Sequence, residues 1–433
     1  MASTRSVSVL LDASGLARAL AVPVYELRVV KGPDKGKHQR VCLRRLLIGT
    51  GQGAHFKLAD PTVSAVHCEL LADSTGFRVR DLGAKNGVQL GGHRVSEAWL
   101  EVKDDLVLGN SVLRFKLLEE DAEETPLEES KGFAKLKGSC LPMRELYGQL
   151  KRAAQAEAPV LLNGETGTGK ELAAEALVSE GPRRDGPLVV VDCGRLVANL
   201  AEAELFGHEA GSFTGAHRRV LGAFERAHRG TLFLDEVGEL PLELQPKLLG
   251  VLERRVVQRV GGTEAVPVDV RVISATHRDL ERAVNRGTFR ADLFFRLAAV
   301  QLRLPALRER GEDIPALVAH FLDELPGKRV RLAPGVLQRL YDAEYPGNVR
   351  ELRSAVERAA LGMMDPVAPS KQQLPAIDAE TPFRVQKERL IESFERAYVK
   401  GLLELAKGNV SEAARQSGIN RVQLHALIRR LGL

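Results

Sequence analysis

Val160-Leu161-Leu162-Asn163-Gly164-Glu165-Thr166-Gly167-Thr168-Gly169-Lys170-Glu171 is the stretch that decides the fold. A short apolar run enters a glycine-rich loop, a lysine follows, and helix formers continue to Leu177. Strand, glycine loop, lysine and helix together are the setting of a phosphate-binding P-loop. The glycines let backbone N–H groups turn toward phosphate oxygens, and the helix N-terminus adds a positive dipole. Lys170 is placed to reach the outer phosphates of a nucleotide. Glu171 stands where a Ser or Thr hydroxyl usually meets Mg²⁺, so metal contact is expected to fall on another residue and on water.

Sixty residues on, Thr231-Leu232-Phe233-Leu234-Asp235-Glu236 reads as a buried strand ending in two carboxylates. Asp235 is expected to hold Mg²⁺ and Glu236 to polarise the attacking water, the division that phosphoryl transfer requires. Apolar runs at 188–191, 268–275 and 299–304 alternate with helical or loop sequence, which predicts a doubly wound parallel α/β core. Between the P-loop and the two carboxylates lies Gly211-Ser212-Phe213-Thr214-Gly215-Ala216. Hydrolysis does not need this small, apolar, glycine-bounded insertion. It reads as an exposed, mobile tip that grips another protein, with Phe213 as a core anchor the plainer alternative.

Working outward, the 433 residues predict two to four domains. Residues 118–130 hold seven acids and no base, a density expected to resist packing. Residues 365–382 are rich in Pro, Ala and polar side chains. These two linkers, taken as 118–132 and 365–383, separate a block at 25–117, a block at 133–364 and a block at 384–433. The middle block is divided into an α/β subdomain at 133–305 and a helical lid at 306–364. From Arg384 onward there are ten Lys/Arg and five Glu, so this end carries the whole net charge of +5. A basic terminus points to nucleic acid. Cys42, Cys68, Cys140 and Cys193 are scattered without a CxxC pair, against a disulfide framework or zinc site. Arg5, Asp12 and Arg18 interrupt any leader-like apolar core, and no run approaches a membrane span. A cytoplasmic protein without membrane contact is expected.

In the first block, alternation at Phe77-Arg78-Val79-Arg80, a β-rich run at 112–117 and recurring glycine turns predict a β-sandwich. Gly49, then Asp60-Pro61-Thr62-Val63-Ser64 with His67, then Asp81-Leu82-Gly83-Ala84-Lys85-Asn86-Gly87, resembles a forkhead-associated (FHA) domain. The resemblance implies phosphothreonine recognition, with Ser64 on the phosphate, Asn86 on the peptide backbone and His67 bracing the loop from inside. Thr50, Ala65 and Ala84 replace residues the family usually carries as Arg, Arg and Ser/Thr. Two charge-assisted phosphate contacts are therefore missing, which Lys85 or Arg45 would have to replace. A docking surface without phosphopeptide binding is the alternative.

In the middle block GETGTGKE, ELFGHEAGSFTGA, GTLFLDEVGEL, RVISATHRDL, FRADLFFRL, LPALRERGEDI and PGNVREL occur in order. Together they resemble the AAA+ domain of bacterial enhancer-binding proteins, the activators of sigma-54 RNA polymerase. The resemblance implies ATP and Mg²⁺ as cofactors, with Gly164 to Glu171 around the nucleotide; Glu171 is usual in this family. It implies Thr276 as sensor I, followed by His277 where Asn is more usual, and Arg350 as sensor II. Arg290 and Arg296 would be arginine fingers reaching the γ-phosphate of a neighbouring subunit. Such fingers require a ring, a homo-hexamer or heptamer. Gly211 to Ala216 would contact sigma-54, with Ser212 where the family has Ala. Asp192 replaces an Asn that couples Glu236 to this loop, and Tyr345 keeps an aromatic where Trp is common.

In the last block a helix at 389–405 is followed by Asn409 and Glu412 at capping-box spacing and by Gly418 as a stop. Leu424, Leu427, Ile428 and Leu431 then give one apolar stripe to a second helix. The segment resembles a Fis-type helix-turn-helix, with Arg421, Gln423, His425 and Arg429 as base or phosphate contacts. A dimerising helical hairpin is the alternative. The chain thus reads as multidomain: FHA β-sandwich, α/β P-loop AAA+ ATPase with small helical lid, and all-α helix-turn-helix. Its expected function is enhancer-bound, ATP-driven remodelling of the sigma-54 polymerase closed complex. Input would come through the FHA block from a phosphothreonine protein or Ser/Thr kinase. Remodelling of some other DNA-bound complex, or an FHA scaffold with a vestigial ATPase, are the rivals.

Overall fold

The computed structural model describes residues 6–363 apart from 13, 119–121, 131, 197, 214–215 and 326–331. Beyond these it describes 395, 398, 399, 410, 414 and 420–431. The chain forms two compact units, 1–364 and 365–433.

The first unit begins as a β-sandwich. A six-stranded sheet runs His93–Val95, Val88–Leu90, Asp105–Leu108, Ser111–Leu117, Tyr25–Lys31 and His38–Val41. A five-stranded sheet runs Glu97–Leu100, Gly76–Asp81, Cys68–Asp73, Arg45–Gly49 and Phe56–Lys57. The expected alternation is the cause of the packing: in Ser111–Leu117, Ser111, Leu113 and Phe115 turn inward while Arg114 and Lys116 turn out. Tyr25, Phe77 and Phe115 meet at ring distances of 4.9–5.7 Å in the core between the sheets.

The acidic stretch does not behave as expected. Glu123–Pro126 is a strand, paired antiparallel with Ala17–Val22, which in turn pairs with Ser8–Leu11. Strand pairing satisfies the backbone while Glu123 and Glu124 stay exposed, so charge density did not prevent it. Arg18 pairs with Glu124 at 3.0 Å, and Leu127 is buried. Ordered structure therefore also precedes residue 25.

The ATPase core is a five-stranded, all-parallel sheet, in the order Leu188–Asp192, Thr231–Asp235, Arg271–Thr276, Val160–Asn163, Val300–Arg303. Its central strands are buried on both faces, which is why they read as mostly apolar runs. The run at 268–275 becomes strand only from Arg271. Buried Arg271 donates to the Ala153 and Ala154 carbonyls at 2.7 and 3.1 Å. Helices Ile314–Glu324, Pro334–Asp342 and Asn348–Ala360 form the lid around Leu317, Val318, Leu340, Leu352 and Val356.

In the second unit the helix Arg421–Leu431 is present, with Leu424 buried and Ile428 half-buried. The linker 365–383, most of the helix at 389–405, the capping pair Asn409 and Glu412, and Gly418 lie outside the described residues, as do the side chains of Arg421, Leu427 and Leu431.

Candidate nucleotide-binding site

The C-terminal ends of three neighbouring strands converge with the loop 164–169 at one edge of the parallel sheet. Such an edge is where open α/β sheets bind ligands. Gly167 and Gly169 hold φ of +81° and +103°, backbone that side-chain-bearing residues adopt only under strain. A Cβ on Gly167 would sit 2.2 Å from the Gly347 carbonyl oxygen, so the loop and lid approach backbone to backbone. Lys170 opens the helix Lys170–Ser179, and its side chain is buried. Its Nζ donates to the Gly164 carbonyl at 2.9 Å and lies 3.5 Å from Glu236 Oε1.

Asp235 ends its strand, and Oδ1 accepts the Glu236 N–H at 3.0 Å. Burial holds the Asp235 carboxyl above the usual carboxylate range. Glu236 sits at φ +48°, a backbone turn that aims its side chain across to the next strand. There Oε2 accepts from the His277 backbone at 3.2 Å and lies 2.7 Å from His277 Nδ1. Burial pushes the Glu236 carboxyl up, but the His277 bonds and the Lys170 charge outweigh it and leave it below the usual range. Two adjacent carboxylates are thus driven in opposite directions, the pattern of a site with divided roles. Thr276 is fully buried, and its Oγ1 accepts from the Arg278 N–H at 3.0 Å. Asp192 lies in register with Asp235 at the next strand end, with Oδ1 on the Gly194 N–H.

The lid completes the loop. Asn348, buried and at φ +56°, donates to Glu165 Oε2 at 3.1 Å and to the Thr166 carbonyl at 3.0 Å, and accepts from the Leu307 N–H at 2.8 Å. Arg308 forms a two-point pair with Glu165. The Arg308 and Asn348 hydrogen bonds pull the Glu165 carboxyl down to about 2. Arg350 enters through its backbone, N–H to the Gly167 carbonyl at 3.4 Å. Glu171, in the first turn, is exposed. His277, Arg308 and Asn348 are the functional candidates that motif reading passed over or named only as a departure. Their signal was membership of the RVISATHRDL, LPALRERGEDI and PGNVREL runs, which marked the segments without giving Arg308 and Asn348 a role.

Among the described residues no group of three or more His, Cys, Asp and Glu could hold a metal by itself. One hard carboxylate, Asp235, beside Glu236 and a phosphate loop suits Mg²⁺, which keeps waters and phosphate oxygens as its main ligands.

Two sets of expected residues lie elsewhere. Arg290 is exposed and pairs with Asp292 at 2.7 Å, and Arg296 donates to the Leu252 carbonyl at 3.0 Å. They flank and end the short helix Ala291–Leu297, and neither hydrogen-bonds to the Lys170–Glu236 cluster. The tip insertion leaves the core through an antiparallel bridge between His208 and Val220. Within it Gly211 and Ser212 are followed by a half-buried Phe213, whose ring lies 4.9 Å from His208, and by buried Ala216. Thr214 and Gly215 lie outside the described residues. Buried Arg259 clamps the base of the insertion, pairing with Glu225 at 2.6 Å and Glu209 at 2.9 Å.

The chain matches a family model described as sigma-54 interaction domain over residues 136–303 and one described as AAA+ ATPase lid domain over 308–384. Residues 390–431 match bacterial regulatory protein, Fis family, and residues 28–119 match inner membrane component of T3SS, cytoplasmic domain. It is 43% identical over 343 residues to the C4-dicarboxylate transport transcriptional regulatory protein DctD of Pseudomonas aeruginosa, covering 77% of this chain and 70% of DctD. The chain belongs to the family of sigma-54-dependent transcriptional regulators. To the transcriptional regulatory protein GlrR of Escherichia coli this regulator is 42% identical, covering 66% of each chain. Among solved structures it is similar to NtrX from Brucella abortus in complex with ATP, with 36% identity, TM-score 0.50, and 70% and 71% of the two chains covered. The regulator is therefore an AAA+ ATPase with a Fis-type DNA-binding segment.

At the FHA-like end, His67 is fully buried: Nδ1 accepts from the Ser64 N–H at 3.0 Å and Nε2 lies 2.9 Å from the Gly87 carbonyl. Ser64 Oγ accepts from the Lys85 N–H at 3.2 Å, Asn86 Nδ2 donates to the Thr62 carbonyl at 2.7 Å, and the Thr50 hydroxyl lies 3.5 Å from the Val63 carbonyl. Arg45 cannot stand in for a phosphate-binding arginine, because Glu69, Glu281 and Gln301 engage its guanidinium. In the DNA-binding segment Gln423, His425 and Arg429 are exposed on the helix, and Arg430, also exposed, pairs with Glu395. No helix among the described residues is long and apolar enough to cross a membrane.

Proposed function

We propose that this regulator binds enhancer DNA through the helix 421–431 and, as a homo-hexameric or heptameric ring, spends ATP to remodel the sigma-54 polymerase closed complex. The carrying observation is the His277–Glu236–Lys170 chain of contacts beside Asp235 at the mouth of the glycine loop. Bound ATP and Mg²⁺ would supply the phosphoanhydride and its charge neutralisation. Gly164 to Glu171 would wrap the phosphates, Lys170 would exchange its loop carbonyls for phosphate oxygens, and Asp235 would face the metal. Glu236, kept ionised, would orient the attacking water, with Thr276 behind it. Arg290 and Arg296, exposed and away from their own protomer's site, suit action on a neighbour's γ-phosphate.

The residues Gly211 to Ala216 would then deliver the movement to sigma-54, Phe213 and Thr214 making the contact. The Arg259 clamp supports this: it fixes the base of the insertion. Gln423, His425, Arg429 and Arg421 would contact bases or phosphates. The test is transcription in vitro from a sigma-54 promoter. Lys170→Ala is expected to abolish ATPase and transcription together, and Thr214→Ala to abolish transcription alone. Retained activation by Thr214→Ala would favour remodelling of a different complex.

A phosphothreonine input through Ser64, Asn86, Thr50 and Lys85 is the finer part of the proposal. Ser64 and Asn86 sit on adjacent loops bridged by the Lys85 N–H, which supports it. Binding of a labelled phosphothreonine peptide library to the full chain, lost in Ser64→Ala, is the expected outcome. Equal capture of unphosphorylated peptides would remove it.

A further inference from the structure

The sandwich and the ATPase share one hydrophobic core. Leu47, Val66 and Leu82 of the sandwich pack with Leu280, Phe289, Leu293, Phe294 and Leu297 of the ATPase, all buried. Polar contacts line the same seam. Asn285 Nδ2, at the end of the helix Leu280–Asn285, donates to the Val66 carbonyl at 2.6 Å and to the Leu82 carbonyl at 2.8 Å. Arg45 spans from fully buried Glu69 to Glu281 Oε1 at 2.7 Å and to Gln301.

Phe295 closes the seam. A Cβ on Gly51 would lie 2.0 Å from the Phe295 ring, and one on Gly53 2.4 Å from it, so only glycines admit the ring there. Phe295 belongs to Ala291–Leu297, immediately before Arg296 and five residues after Arg290. Three loops of the sandwich thus meet this part of the ATPase: Gly51 and Gly53 face the finger-bearing helix through Phe295, and Val66 and Leu82 hold the end of the helix before it through Asn285. Gly51 follows Thr50, Val66 follows the Ser64 turn, and Leu82 precedes the loop of Lys85 and Asn86. A seam with a continuous apolar core and a partly buried charged pair behaves as a fixed joint rather than a swinging lid.

We infer that Asn285 and Phe295 are positioning residues for Arg290 and Arg296, and that the sandwich is a buttress of the finger helix, serving the nucleotide site of the neighbouring protomer rather than its own. This rests on the reading of Arg290 and Arg296 as trans-acting. A group seated on the three recognition loops would therefore be felt across the subunit junction.

The experiment is protomer mixing with full-length protein. Phe295→Ala and, from the sandwich side, Gly53→Ala are expected to lower kcat for ATP by about tenfold or more while nucleotide affinity of the protomer is kept. Either variant mixed with Lys170→Ala, which keeps its fingers but lacks a working loop, should recover activity several-fold above each protein alone. Arg296→Ala mixed with Lys170→Ala is the control. If the control recovers and the Phe295 and Gly53 variants do not, the inference fails and the trans reading stands. If the control does not recover, the trans reading itself fails and carries the inference with it. A rise in ATPase activity of either single variant would also overturn the inference, showing an inhibitory contact instead. Circular dichroism and sedimentation identify a variant that fails to fold, and Asn285→Ala then takes its place in the same mixing test.

Discussion

His277 touches Glu236 twice: one carboxylate oxygen accepts its backbone N–H at 3.2 Å and lies 2.7 Å from its ring Nδ1. The contact crosses from the strand Arg271–Thr276 to the turn after Thr231–Asp235, so it fixes the proposed water-orienting carboxylate from the neighbouring strand end.

His277→Ala should therefore free Glu236 and let its pKa rise toward the ordinary value. ATP hydrolysis is expected to fall on the order of 100-fold in kcat, with KM little changed, because geometry and not binding is lost. His277→Asn, which keeps a side-chain donor, should restore most of it. Steady-state ATPase kinetics decides between them.

Arg45→Ala removes the cation between fully buried Glu69 and nearly buried Glu281. Arg80 still reaches Glu69, so the cost is less than for an isolated buried charge, about 2 kcal/mol of unfolding free energy. Urea denaturation should show it, and loss should be smaller when Glu281→Gln is added, since one stranded carboxylate is then neutral.

Asn348→Gly keeps the left-handed backbone at φ +56° while deleting the side chain that joins Leu307, Glu165 and Thr166. Stability should drop by about 2 kcal/mol from the unmet buried N–H. ATP affinity should weaken as well, since the glycine loop loses its lid contact. Calorimetric titration with ATP measures the second effect, and unchanged affinity would refute the role assigned to the lid.

Glu165 has a folded-state pKa of about 2 against an ordinary 4.5. A depressed carboxylate contributes stability that is fully present above the unfolded value and is lost as pH falls through the folded one. The Glu165–Arg308 tether should therefore hold above about pH 4.5 and release progressively toward pH 2. In Glu165→Gln, the dependence of unfolding free energy on pH below 4.5 should be shallower than in the parent chain. Denaturation series across that range provide the measurement.

Much of the sheet was legible because parallel strands buried on both faces are largely apolar, as at Val160–Asn163 and Thr231–Asp235. The glycine loop was legible because φ above zero at Gly167 and Gly169, and close backbone approach at Gly167, leave few other residues. The acidic stretch misled because composition reports side-chain charge, whereas pairing of Glu123–Pro126 with Ala17–Val22 is made by backbone and leaves those charges in water. Arg45 misled for the opposite reason: a charge suited to phosphate was committed to Glu69 and Glu281, residues 24 and 236 positions away.

Local sequence determined the strands of the parallel sheet, the phosphate loop, the paired carboxylates and the family, since each depends on residue type at short spacing. Only the tertiary structure decided that His277 holds Glu236, that Asn348 and Arg308 bind the loop to the lid, and that Phe295 seats the helix Ala291–Leu297 on Gly51 and Gly53. Those contacts join segments up to some 240 residues apart. Their partners are chosen by how the sheet edge, lid and sandwich pack, which no single stretch of chain encodes.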